Sequence, residues 1–359
     1  MNLQLLQRVA TRVALPCAVL LLLGQGCTGS STGTPTADGG VYKTTDRAVT
    51  WTQKRVLLKG AKAVSLGNDP ISTIVIDPQD PKAIYAGTLE RGIVESLNGG
   101  DTWEEVTNGP KGSKILSIAV DPKNKCVVYA TMKNKIYKTE NCHRDWKEIF
   151  FDPKIDKTFN ALVLDWYNPT IVYAGTSEGD IFKSTDAGLS WMVVKRVDSP
   201  ISTMILDRRD SRILYVGTFG EGIWKTMDGG VTWLPIRDQL KDFTNSRRVN
   251  ALTLDASDPS KLYLASKYGL IMSENGGDTW KAMQLTSEAG SVEVIDVAVN
   301  PREAKEVTYV TKNTLFMTTD GGTTWNAKKL PSVRPATVLL QDEQDGKTLY
   351  LGFGALPKQ

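Results

Sequence analysis

One eight-residue stretch, Thr226-Met227-Asp228-Gly229-Gly230-Val231-Thr232-Trp233, constrains this 359-residue chain more than any other feature, because versions of it recur six more times. With a hydroxyl, a carboxyl or amide, Gly and Trp at offsets 0, 2, 4 and 7, the copies begin at Thr44, Ser96, Thr139, Ser184, Thr226, Ser273 and Thr318. Their last residues, Trp51, Trp103, Trp146, Trp191, Trp233, Trp280 and Trp325, follow one another at intervals of 42 to 52 residues. Self-similarity at that period marks a repeat architecture, in which each unit buries its apolar surface only by stacking on the next.

Each position in the box has a mechanical reason. Asp46, Asn98, Asn141, Asp186, Asp228, Asn275 and Asp320 can accept backbone N–H groups of their own turn, and the glycine two residues later takes a left-handed backbone at little cost. The Trp then opens a strand and buries a large ring. Two copies depart: Ala48 stands where Gly is expected, and His143 and Asp145 replace Gly and Thr. Those two turns are expected to be looser or differently shaped.

A second motif alternates with the box. An apolar β-rich run ends in an Asp-Pro-like turn and leads to a Tyr-containing strand, as in Ile74-Val75-Ile76-Asp77-Pro78 before Ile84-Tyr85-Ala86-Gly87-Thr88. Tyr129, Tyr173, Tyr215, Tyr263, Tyr309 and Tyr350 mark the other copies. The seventh lies after the last Trp, and the first box has none before it, so the two ends complement each other. The apolar strand, the Tyr strand, the strand into the box and the strand after Trp make a four-stranded antiparallel sheet. Radial stacking buries both faces of such sheets and leaves only short edges. The expected fold is all-β: a seven-bladed β-propeller of four-stranded blades over 41–359, its last blade closed by pairing Thr337–Gly354 with Val41–Arg55.

The N-terminus reads differently. Arg8 and Arg12 precede an apolar run from Val13 to Leu23, too short to span a bilayer, which marks 1–26 as an export signal. Leu23-Gly24-Gln25-Gly26-Cys27 resembles the lipobox at which bacterial prolipoproteins are lipidated and cut, departing from it at Gly24 and Gln25. The resemblance implies a lipid on Cys27 and a place in the bacterial cell envelope; ordinary secretion is the alternative. Residues 27–40 are rich in Ser, Thr and Gly and read as a flexible tether. Of the remaining cysteines, Cys126 and Cys142 flank a hairpin centred near Lys133-Asn134, which places them opposite each other for a disulfide in an oxidising compartment, with two free thiols as the alternative.

The box resembles the Asp-box, or BNR repeat, of sialidases, sortilin-type receptors and family 74 xyloglucanases. There it is a structural turn between the last two strands of a blade, away from the active site, so the resemblance implies fold more than function. Size, export signal and seven repeats also resemble the lipoprotein-like photosystem II assembly factors.

Binding or chemistry is expected on the opposite rim, where connectors into the inner strands meet the hairpins after each Tyr strand. The candidates for binding are Arg91, Phe219, Arg247, Arg248 and Tyr268; those for a carboxylate pair are Glu90, Glu178, Asp180 and Glu221. A formal net charge of +3 supplies no broad nucleic-acid surface. His143 is the only histidine, with no Cys/His ligand spacing, so neither metal nor cofactor is expected. No sialidase motif beyond the box is present, and a family 74 hydrolase uses two propellers. The reading that follows is a non-catalytic propeller, lipid-anchored in the envelope, binding a protein or glycan; a glycoside hydrolase using rim carboxylates is the alternative.

Overall fold

The computed structural model describes residues 37–356, which contain β-strands, turns and loops and no helix. The expected signal, Cys27 and the tether up to residue 36 lie outside the described residues. Seven innermost strands, Ile71–Asp77, Ile115–Val120, Phe159–Leu164, Ile201–Leu206, Val249–Leu254, Asp296–Val299 and Ala336–Gln341, define blades 1 to 7. Each touches the next and the last touches the first, so the ring is closed. In three of these strands the buried side chains are the first, fourth and sixth, as with Ile201, Met204 and Leu206. An apolar channel of about 410 Å³ runs along the axis, lined by the later residues of the inner strands, such as Met204, Ile205 and Leu206.

Closure uses both ends of the chain. Strands Ala336–Gln341 and Leu349–Phe353 pair with Gly40–Thr44 and Thr52–Lys54, with Tyr42 opposite Leu351 and Gln53. The N-terminal segment thus supplies the third and fourth strands of blade 7. Ala37–Gly40, assigned to the tether from sequence, belong to the folded body: Gln53 Nε2 donates to the carbonyls of Ala37 and Gly39, and Arg334 Nε donates to Asp38 at 3.3 Å. The composition of that segment resembles its upstream neighbours, and only these distant partners fix it.

Blade 1 departs from the four-stranded pattern. Between the box of blade 7 and the first inner strand, a hairpin of Val56–Lys59 and Lys62–Ser65 joins the blade edge, Leu57 pairing in parallel with Trp103. The hairpin covers Trp103 completely, and its indole N–H donates to the Lys54 carbonyl at 3.0 Å. The other six box tryptophans stay half-buried.

All seven box turns share one hydrogen-bond plan, including the two that depart in sequence. The first hydroxyl accepts the N–H four residues on, at 2.8 Å for Gly230 and still at 3.1 Å for Ala48 and 3.2 Å for His143. Where the second polar residue is Asp, its carboxylate accepts the hydroxyl four residues later, as Asp228 does from Thr232 at 2.6 Å; Asn141 instead donates to Asp145 at 2.9 Å. The expected looser shape is therefore not found. The turn needs two consecutive left-handed residues, which Arg47 and Ala48 (both φ 58°) and Cys142 and His143 (φ 56° and 66°) adopt without glycine. For L-residues that conformation costs about 1–2 kcal/mol each.

Blades are joined through the same turns. Tyr173 OH and Lys183 Nζ of blade 3 both donate to the Gly229 carbonyl in the box of blade 4, at 2.9 and 2.7 Å. Tyr129 with Lys138, Tyr215 with Lys225, and Tyr350 with Lys43 do the same at three other boundaries. The buried tyrosine is thus a core residue and an inter-blade donor at once. In blade 2 a Cys126–Cys142 disulfide staples the box to the start of the Tyr strand.

Candidate functional site

Topology sorts the loops onto two faces. Hairpins after the second strands hydrogen-bond to connectors that open inner strands: Phe219 N–H to the Pro200 carbonyl, Gly222 N–H to Arg247, Gly290 N–H to Tyr268. The box turns instead bond to the turns ending the inner strands, as Gly229 N–H does to the Arg212 carbonyl and Gly276 N–H to Ser260. Every binding candidate chosen from sequence therefore sits on the face away from the boxes.

On that face the structure separates them. Arg91 is held within blade 1, Nη1 donating to Glu105 at 2.6 Å and Nη2 to Asp69 at 3.0 Å, so it is not a free anchor. Burial disfavours its charge, but those two carboxylates outweigh this and hold its pKa up. Phe219 and Arg248 come together at the boundary of blades 4 and 5. The Phe219 ring is exposed and the Arg248 guanidinium lies 5.2 Å over it, a cation–π contact. Arg248 also stands 3.8 Å from Glu293, and Arg247 beside it is exposed. Tyr268 packs edge-on against Phe243 with ring centres 5.3 Å apart, and borders a hollow of about 200 Å³ with Met283 and Leu285.

The rim carboxylates are mostly held by cations. Asp180 accepts from Lys157 at 2.7 Å and Arg196 at 2.9 Å; burial raises its pKa, but these two donors outweigh that and the net direction is down. Lys157 is itself buried and also bonds Asp152 at 2.8 Å, a triad the sequence did not single out. Glu178 pairs with Lys154 at 2.8 Å and Glu221 with Arg237 at 2.9 Å. Of the four carboxylates weighed from sequence, Glu90 alone lacks a basic partner among the described residues, and it is exposed on its hairpin tip.

One carboxylate of different character stands on an inner strand. Asp296 occupies the inner-strand place held elsewhere by Thr73, Ser117, Ala161, Thr203, Ala251 and Val338. Its oxygens accept Val297 N–H at 2.9 Å and Leu339 N–H at 2.8 Å. Its side chain is only partly exposed, and burial pushes its pKa up to about 6. Aligning the inner strands would have found it as the only ionisable residue in that row. Among the described residues no group of three His, Cys, Asp or Glu side chains is placed to hold a metal ion.

Closed ring, repeated box turns and a two-faced loop arrangement define a seven-bladed propeller. No protein-family model matches the chain. Among curated proteins, a probable oligoxyloglucan-reducing end-specific xyloglucanase of Neosartorya fischeri is 27% identical over 114 residues, 30% of this chain and 14% of that protein. The GH74 xyloglucanase from Xanthomonas campestris superposes with a TM-score of 0.67 at 16% identity, over 80% of this chain and 51% of its own. YCF48 from Cyanidioschyzon merolae superposes with a TM-score of 0.61 at 14% identity, over 80% of this chain and 96% of its own. A YCF48 structure with a D1 peptide bound is also similar, with a TM-score of 0.61 at 16% identity, over 81% of this chain and 94% of its own. The chain thus spans about half of the xyloglucanase structure and a small part of the curated xyloglucanase. At these identities the likeness is one of fold.

Proposed function

We propose that this chain is a non-catalytic propeller that captures a protein or glycan partner on the rim opposite the boxes, exported and held in the bacterial envelope by a lipid on Cys27. The observation that carries the reading is the exposed Phe219–Arg248 pair with Arg247 beside it. Aromatic and arginine anchors are the residues that dominate binding energy at interfaces. A hydrolase needs two carboxylates free to act as acid and as base or nucleophile, whereas Asp180, Glu178 and Glu221 are each paired with a cation. Full-span similarity to YCF48, which has been seen with a D1 peptide, supports a peptide-binding role for a propeller of this size.

The stretch shared with a xyloglucanase favours glycoside hydrolysis as the second reading. One experiment separates them. Full-length wild type is expected to capture a partner from native envelope extract. Arg247→Glu with Arg248→Glu, or Phe219→Ala, is expected to lose that capture at unchanged melting temperature. No reducing sugar is expected from xyloglucan. Sugar release abolished by Glu90→Gln or Glu221→Gln would replace the binding reading with the hydrolase.

A further inference from the structure

The other end of the axial channel carries a feature that neither reading uses. An Asp or Asn closes or directly follows each inner strand, and the residue after it forms a collar around the mouth. Four collar members are Pro78, Pro122, Ala256 and Pro301, as a closed apolar opening would have them. The three that depart, Trp166, Arg208 and Glu343, are linked through Arg208. The Arg208 guanidinium carbon lies 4.3 Å over the Trp166 ring, and both its Nη groups donate to the two oxygens of Glu343. Blades 4 and 7 lie across the ring from each other, so this pair spans the opening.

The chemistry beneath is uniform. Ile74, Ile118, Leu162, Met204 and Leu339 line the channel, whose volume of about 410 Å³ is within the usual range for small-molecule sites. The acids preceding the collar are turned into their own turns: Asp77 accepts the Gln79 N–H, Asp255 the Ser257 N–H and Asp342 the Gln344 N–H. Arg302 approaches from blade 6, donating to the Gln344 carbonyl. Arg208 is therefore a guanidinium held flat on an aromatic ring, at the rim of an aliphatic channel, already presenting both donors to a carboxylate. Its pair with Glu343 is exposed, 40% and 49% for the two side chains, and exposed ion pairs are weakly held.

We infer that this mouth is a binding site for a monocarboxylate with an unbranched apolar tail. The ligand's carboxylate takes over the two guanidinium donors from Glu343, the bidentate geometry at which arginine excels. Its tail enters the channel between the inner strands. Glu343 is the built-in competitor, and Trp166 fixes the plane of the guanidinium.

Titration calorimetry of the full chain with decanoate tests this. Wild type is expected to bind one equivalent saturably, and Glu343→Gln to bind about two- to fivefold more tightly because an exposed intramolecular competitor is gone. Arg208→Gln is expected to weaken decanoate about tenfold or more, since a charge-assisted bidentate contact is lost. Decanol should bind wild type more weakly than decanoate, and the two should bind Arg208→Gln alike. Absence of saturable decanoate binding to both wild type and Glu343→Gln overturns the inference and leaves the trio as a strap between blades. Equal decanoate affinity in Arg208→Gln and wild type overturns it as well. The Glu343→Gln arm remains decisive if Arg208→Gln does not fold.

Discussion

The Nδ1 of His143 lies 2.6 Å from a carboxylate oxygen of Glu95, across the boundary between blades 1 and 2. At four other boundaries the third-strand residue is a lysine donating to a box carbonyl, as Lys183 does to Gly229. Here Glu95 stands in the lysine place and His143 in the place of the second box glycine, one residue after the usual acceptor, and Tyr85 OH completes the contact at 3.2 Å from Nε2. The polarity of the latch is reversed and the latch is kept.

That exchange predicts strong coupling. Glu95→Lys alone sets a cation against the imidazole in a largely buried site and is expected to cost about 1–3 kcal/mol. Adding His143→Gly restores the arrangement of the other boundaries and should recover most of the loss. A urea-denaturation double-mutant cycle measures it; strictly additive effects would show that the two residues are independent.

The staple in the same blade makes a second prediction. Cys126 and Cys142 are 16 residues apart, and cross-linking a loop of that size contributes about 3 kcal/mol in the chain-entropy account. The double Cys→Ser variant should lose about that much stability to denaturant. A non-reduced digest should yield the two cysteine peptides linked, and labelling of both thiols in protein purified without reductant would contradict the bond.

Acid should act on the boxes selectively. The Ser190 hydroxyl foremost, then the Ser190 N–H and the Ser184 hydroxyl, pull the Asp186 pKa from 3.8 down to about 2, and Asp46, Asp228 and Asp320 are lowered in the same way by their own threonines. A folded-state pKa below the unfolded one gives stability that is complete above about pH 4 and lost as pH falls toward about 2. Replacing the four aspartates by Asn, as Asn98 and Asn275 already are, should flatten stability against pH in that window. An unchanged slope assigns acid unfolding to other carboxylates.

Asp296 carries the opposite sign. Burial raises its folded pKa to about 6, so ionisation opposes folding and its favourable contribution fades as pH rises from about 4 to about 6. Melting temperatures of Asp296→Asn across that range should lack this fall, while wild type shows it. Parallel profiles for the two proteins would mean the carboxyl titrates as an ordinary one.

Much of the architecture was legible in the chain because its causes are local and periodic. A hydroxyl, a carboxyl or amide and a left-handed pair within eight residues suffice to build each turn, and counting Tyr strands against boxes gives seven blades and a closure of Val41–Arg55 on Thr337–Gly354, which the pairing of Gly40–Thr44 with Leu349–Phe353 carries out. The pairing of Cys126 with Cys142 followed from the centre of one hairpin. Even there, locality misled: Ala48 and His143 keep the turn because distant contacts hold it, and Val56–Ser65 forms strands because the edge of blade 1 offers Trp103 to cover.

What the tertiary structure decided is which side chains are taken and which are free. Arg91 and Arg248 look alike in sequence, yet one is clamped by Asp69 and Glu105 and the other lies open over Phe219. Arg208 and Glu343 are 135 residues apart and meet only because ring closure sets blade 4 across from blade 7. Charge and hydrogen-bond partners at that range depend on where the backbone places them, whereas the repeat that builds the backbone needs only its neighbours.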